Sequence, residues 1–223
     1  MSPVIHVLAG PNGGGRSSLG GALLRSRGLD YFDPEFYARE LAASRRVPTD
    51  TVLGDAWKEG VRRLVDAIEG GTSFAIETSL AGTTIPALLA LAAQRGFRVQ
   101  VMYFGLCDVQ RHIDRVATRA AHGGIAIGDE LLAKRWRRSP ENLIGLMPYL
   151  DGLRVFDNSW PREAGSISLP PPRELLHLDN GRLHAPLGSE LGAMPNWVKP
   201  IVEAAIETFG AAAKTADHRS GRK

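Results

Sequence analysis

The chain has 223 residues, 43% hydrophobic and 23% charged, which suits one globular domain with a sizeable core. No apolar run approaches the roughly 20 residues that span a bilayer, no basic-then-apolar leader opens the chain, and a single cysteine, Cys107, excludes an internal disulfide and a cysteine-built zinc site, so a cytoplasmic protein is expected. The net charge of +3 is matched by the tail from Ala211 to Lys223, where Lys214, Arg219, Arg222 and Lys223 stand against Asp217; the near-neutral body argues against a nucleic-acid groove, and the tail (211–223) reads as basic and disordered.

Short apolar runs alternate with helical stretches along the first two thirds of the chain. Val4–Leu8, Ser73–Ile76, Val99–Phe104 and Leu153–Phe156 read as buried parallel strands. A helical stretch over Ser18–Arg25 follows the first, weakened by Gly20 and Gly21. Asp55–Ile68 and Pro86–Gln94 are helical by spacing, and Asp108 is placed to cap a helix through Ala121. Asp129–Trp136 reads as one helix, with "RRSPENL" opening another. The alternation predicts an α/β fold, a mostly parallel sheet with helices on both faces. Beyond Asn158 the pattern changes. A Pro-, Gly- and Ser-rich loop, "WPREAGSISLPPPRE", leads to "LLHLDNGRLHA", where Asn180-Gly181 predicts a hairpin on a type I′ turn. Pro195–Phe209 is expected to form a last helix. The divisions expected are a core over 1–160, a C-terminal loop, hairpin and helix over 161–210 packed on it, and the tail.

The chemistry concentrates in "AGPNGGGRSS", directly after the first strand. It is close to the phosphate-cradling pattern G-x-x-x-x-G-K-[ST]. Glycines let successive N–H groups turn inward on an anion, and the helix that follows adds its dipole. The nucleotide-binding residues are therefore Gly10, Pro11, Asn12, Gly13, Gly14, Gly15, Arg16, Ser17 and Ser18, with Ser17 as the Mg²⁺ ligand. Arg16 stands where the pattern has lysine. It keeps the charge on a longer, planar group that is not interchangeable with an ammonium.

The ordered series "VLAGPNGGGRSSL", "YFDPEFYARELA", "SFAIETSLAG", "GFRVQVMYFGL", "RHIDRVATRAAHGG", "RWRRSPENL" and "RVFDNS" resembles the zeta-toxin-like P-loop kinases, bacterial proteins typified by UDP-N-acetylglucosamine kinases. The resemblance runs from Val4 to Asn158. It implies a three-layer P-loop fold on a five-stranded parallel sheet. It also implies phosphoryl transfer from ATP or GTP, with Mg²⁺, to a hydroxyl, in the toxins that of a UDP-linked amino sugar; an antitoxin partner is implied in the same way.

Residue by residue, the resemblance puts the catalytic base at Glu35, where the family has aspartate, with Asp33 as its substitute. Read from the residues alone, "FDPE" is also a turn into a helix N-terminus. Glu77, Thr78 and Ser79 close the strand "SFAIE" on the acceptor or metal side. Arg115 matches an arginine on the transferring phosphate, a role worth about 10³–10⁵ in rate. The family's Gly-Gly-His followed by proline is missing: His122 precedes the glycines of "HGGIAIG". The second arginine is left among Arg119, Arg135, Arg137 and Arg138, of which Arg119, Arg135 and Arg138 are taken as substrate-binding. "VFDNS" reads as structural. Two readings follow, a small-molecule kinase and a nucleotide-binding protein without catalysis. A kinase of nucleic-acid ends is the remote third, because strand binding needs a basic groove.

Overall fold

Alternation within the first strand sets the layers. In β1 (Val4–Ala9), Ile5, Val7 and Ala9 are fully buried in one core and Leu8 in another on the opposite face. A strand covered on both faces reads as a continuous apolar run, which is why these strands stand out in the sequence. β2 (Phe74–Thr78), β3 (Arg98–Gly105) and β4 (Gly152–Asp157) join β1 in parallel, in the order β2-β1-β3-β4. This computed structural model describes residues 2–159, 171–186 and 188–220, with 188–190 and 211–220 in backbone only; most of the expected Pro- and Ser-rich loop, 160–170, lies outside them, as do residues 221–223.

The expectation of five parallel strands needs correction: the sheet has six strands and is mixed. β5 (Arg173–Asp179) and β6 (Arg182–Ala185) form the expected hairpin, and β5 pairs antiparallel with β4. Asn180 (φ 49°) and Gly181 (φ 68°) are both left-handed, as a type I′ turn requires. On the other edge the fifth parallel position is one residue long. The Phe32 N–H donates to the Ala75 carbonyl and the Phe32 carbonyl accepts from Glu77 N–H, each at 2.8 Å. The run ends there because Pro34 has no N–H to donate and Asp33 turns to cap the next helix.

A π-helical turn over Arg16–Gly20 leads into the short α1 (Gly21–Ser26). Gly20 lets this segment lie on the sheet, since a Cβ there would come within 2.7 Å of the Phe104 ring. α2 (Pro34–Arg45), α3 (Leu53–Gly70), α4 (Thr84–Gln94) and α5 (Val109–Ala121) follow, the last capped by Asp108 as expected. α6 (Asp129–Leu146) is a second correction: one helix runs through Pro140 where two were expected. An interior proline costs about 3 kcal/mol. Here Leu132, Ser139, Leu143 and Leu146 share a buried face, and Tyr103 Oη donates to Ser139 Oγ at 2.9 Å, so tertiary burial overrides the local preference. α7 (Lys199–Ser220) starts later than expected and continues through Ala211–Ala213, strong helix formers, into the basic tail.

The larger core packs Leu64 of α3, Leu89 of α4, Leu143 of α6 and Ile201 of α7 on one face of the sheet. The smaller one packs Leu24 of α1 against Leu8, Phe104 and Phe156 on the other. Among the described residues no helix is long and apolar enough to cross a membrane. The register aligns Ala9 with both Thr78 and Tyr103, so the glycine loop leaves β1 between the C-terminal ends of β2 and β3, where open α/β sheets bind ligands.

Candidate active site

The loop after β1 is shaped by three glycines in the left-handed region, Gly10 (φ 129°), Gly13 (φ 84°) and Gly15 (φ 108°). Gly10 also makes the close approach that seats the loop, since a Cβ there would stand 2.1 Å from the Phe104 carbonyl oxygen. Gly14 N–H closes the turn on the Pro11 carbonyl at 3.2 Å. Side chains from later in the chain brace it. Asn158 Nδ2 donates to the Gly14 carbonyl at 3.0 Å, and Arg115 donates to the Asn158 carbonyl at 2.7 Å and to the Gly13 carbonyl at 3.5 Å. His112, fully buried, donates from Nδ1 to the Asn12 carbonyl at 2.7 Å. Burial lowers the His112 pKa to about 4, so the ring is neutral at pH 7.

Arg16 lies in the π-helical turn and is buried, 6% exposed. Its guanidinium faces Glu77 Oε1 at 3.5 Å, and Ser17 Oγ donates to the same oxygen at 2.9 Å. Glu77 is 3% exposed, and burial pushes its carboxyl above the usual carboxylate range against the pull of Arg16. Its other oxygen, Oε2, is buried and has no partner among the described residues. A serine hydroxyl beside an unpartnered carboxylate oxygen is a donor set that suits a hard cation such as Mg²⁺.

Glu35 sits in the first turn of α2 and belongs to a second constellation. Arg119 holds it with two nitrogens, Nη1 at 3.1 Å from Oε2 and Nη2 at 3.4 Å from Oε1. Asn12 Nδ2 donates to Oε1 at 3.1 Å, and Arg135 donates to Asn12 Oδ1 at 2.8 Å. Burial lowers the Arg135 pKa, and nearby Arg16 acts in the same direction. Asp33 is the helix cap: Oδ1 accepts from Glu35 N–H at 2.8 Å and Phe36 N–H at 3.1 Å. Its observed work is thus at the helix N-terminus, the plainer reading of "FDPE".

Two cavities meet at the loop, and Arg16 lines both. One, of about 630 Å³, is lined by Gly13, Gly15, Ser17 and Ser18 with Arg111, Arg115, Arg119 and His122. The other, of about 330 Å³, has Asn12, Glu35, Glu77, Thr78, Ser79 and Arg135 toward the loop and apolar side chains elsewhere. Thr78 Oγ1 accepts from Leu80 N–H at 3.0 Å, which shapes the turn below this cavity. Arg138 is not brought to the site. It is 52% exposed, pairs with Glu141 at 3.5 Å and lines neither cavity; Arg137 faces a separate small cavity beside Trp197. Neither His112 nor Trp57, which lines the smaller cavity, is marked by the sequence, and Asn158 reads there as structural. Asn158, directly after a buried strand at the loop's edge, carried a usable signal. His112 lay unmarked within a helical pattern.

No family model matches the chain, and no curated protein sequence is similar to it. Solved structures are. A chain of the AvrRxo1-ORF1:AvrRxo1-ORF2 complex crystallised with sulphate ions has a TM-score of 0.63 at 14% identity, covering 88% of this chain and 64% of that chain. The complex with ATP gives 0.61 at 15% identity, over 86% and 63%. A chain of the PezAT chromosomal toxin-antitoxin system of Streptococcus pneumoniae gives 0.51 at 12% identity, over 70% and 68%. The protein therefore spans just under two thirds of these two AvrRxo1 chains. At these identities the likeness establishes the fold alone, an α/β sheet with helices on both faces.

Proposed function

We propose that the protein transfers the terminal phosphoryl group of ATP or GTP to a hydroxyl of a small molecule. The observation that carries the reading is the placement of one phosphate-type loop between two cavities, with Glu35 on the far side from Ser17. The nucleotide belongs in the cavity lined by Ser17, Arg115 and Arg119, its phosphates on the loop N–H groups. The acceptor belongs in the cavity that holds Glu35. The acceptor oxygen bonds to the γ-phosphorus, the bond from that phosphorus to the bridging oxygen breaks, and the nucleoside diphosphate leaves. The hydroxyl proton goes to the Glu35 carboxylate, which Arg119 and Asn12 hold in place. Arg16 and Arg115 lie where charge is redistributed, and phosphoryl transfer depends on such positioning. Ser17 and Glu77 would hold Mg²⁺, which when bound neutralises charge on the phosphate oxygens.

A second reading, nucleotide binding without turnover, is favoured by one observation: Arg16 is committed to the buried Glu77. The two separate in one experiment. Purified protein is given labelled ATP or GTP with Mg²⁺ and an acceptor panel that includes the nucleotide sugars implied by the resemblance, and nucleotide binding is measured by calorimetry. Binding with transfer supports the kinase. Binding without transfer, unrestored by Arg16→Lys, supports the second reading, and absence of binding removes both. The likeness to PezAT and AvrRxo1 chains also supports a partner protein of antitoxin type within the proposal.

A further inference from the structure

We infer that the acceptor is an uncharged alcohol with an apolar, ring-sized body, in place of a nucleotide sugar; the inference rests on the kinase reading and gives its substrate class. The cavity of about 330 Å³ is at the small end of ligand sites. Its walls are Trp57 and Val61 of α3, Ile85 of α4, Leu131 of α6 and the Ile125–Ile127 segment before α6. The charged side chains lining it are Arg16, Arg135, Glu35 and Glu77, two of each sign. Arg16 faces Glu77, and Glu35 is already held by Arg119 from the neighbouring cavity. Arg135, which bonds the neutral Asn12, is then the one cation left over among these four lining side chains, against the two negative charges that a diphosphate would bring. Buried charge without a counter-charge is strongly disfavoured. A hydroxyl on an apolar body needs only what is there, a carboxylate at one end and hydrocarbon at the other.

Trp57 marks where that body rests. Its indole is 49% exposed although it lines the cavity, and Leu131 beside the same cavity is 44% exposed. Large apolar groups left open at the mouth of a cavity are surface that a ligand can cover, and an indole favours a flat ring. The Ile125–Ile127 wall comes from "HGGIAIG", the segment in which the chain departs from the zeta-toxin-like pattern. The chain thus departs from that pattern in the wall of this cavity as well as at Arg16 of the phosphate loop.

The test uses 2-phenylethanol as an uncharged probe and UDP-N-acetylglucosamine as the charged one, with the full chain and Mg²⁺–ATP. Binding is read by tryptophan emission, with Trp57→Phe separating Trp57 from the other three tryptophans. The expected result is a saturable change with 2-phenylethanol that disappears in Trp57→Phe, and none with UDP-N-acetylglucosamine. In parallel, phosphoryl transfer to uncharged ring alcohols should occur with KM raised about tenfold by Trp57→Ala and kcat retained. Circular dichroism of both variants checks that they fold, as expected for a half-exposed position. Binding of the nucleotide sugar alone, or of neither probe, overturns the inference. Loss of ATP binding, measured separately, is what would remove the kinase reading itself.

Discussion

The cavity on the Ser17 side of the loop is walled by Arg111, Arg115, Arg119 and His122, whereas the cavity on the Glu35 side is walled by Trp57, Ile85, Ile125 and Leu131. The first gathers cations around backbone N–H groups. The second sets two arginines and two carboxylates against hydrocarbon walls. The difference follows from how each is built. The polar cavity draws on two short stretches, the glycine loop with its π-helical turn and one face of α5, with Asn158 closing it. The apolar one draws on Asn12 and Arg16 of the loop, the end of β2, α2, α3, α4, α6 and the turns after β2 and before α6. A loop with a fixed task constrains residue types at fixed spacings. A wall needs only volume and apolarity, which many sequences supply.

Glu35→Gln should have the largest effect. It keeps the shape but removes the proton acceptor, so transfer should fall about 10²–10⁴-fold while calorimetric ATP affinity holds. Equal loss of both would mean the two cavities do not divide the work as described. Arg16→Ala comes next. It leaves Glu77 buried with Ser17 but without its charged partner, a change that costs about 3–5 kcal/mol in a urea melt, and Arg16→Lys should recover most of it. A melt unmoved by Arg16→Ala would show that the pair carries nothing.

His112 supports the loop from behind. Its pKa is near 6.5 unfolded and about 4 folded, so as pH falls the unfolded chain takes up the proton first. Stability present above pH 6.5 should drain away between 6.5 and 4, by about 3 kcal/mol in all. In His112→Asn that part of the acid slope should vanish, which melts at several pH values would read. Arg138→Ala should have the smallest effect. Stability and transfer should move by no more than about 0.5 kcal/mol, because the side chain lies on the surface beside Glu141. A large loss of transfer would return Arg138 to the site.

Much of the scaffold was legible because it depends on local rules. The four parallel strands announce themselves as apolar runs, and Asn180-Gly181 can adopt the two positive φ angles of a type I′ turn more readily than most pairs. The glycine loop was legible for the same reason. What the sequence hid depends on burial and on distant partners. Pro140 is a breaker by propensity, but the Tyr103–Ser139 bond and a buried face carry the helix past it. Phe32 pairs for one residue only, because Asp33 and Pro34 at once begin a helix. The hold of Asn12 and Arg119 on Glu35, with Arg135 bonding Asn12 in turn, joins residues up to 123 positions apart, and spacing has no means of revealing it. The resemblance gave roles to Glu35 and Arg115 and left the second arginine among Arg119, Arg135, Arg137 and Arg138. Only packing distinguished Arg119 and Arg135 from Arg138.

The division of labour between the two cavities is tested most directly by the affinity for Mg²⁺–ATP, measured calorimetrically in the wild type, Arg115→Ala and Trp57→Phe. The wild type should bind one ATP. Arg115→Ala should bind it about tenfold or more weakly, having lost a charge-assisted contact beside the loop, and Trp57→Phe should match the wild type. No binding by the wild type, or an equal loss in both variants, would contradict the account.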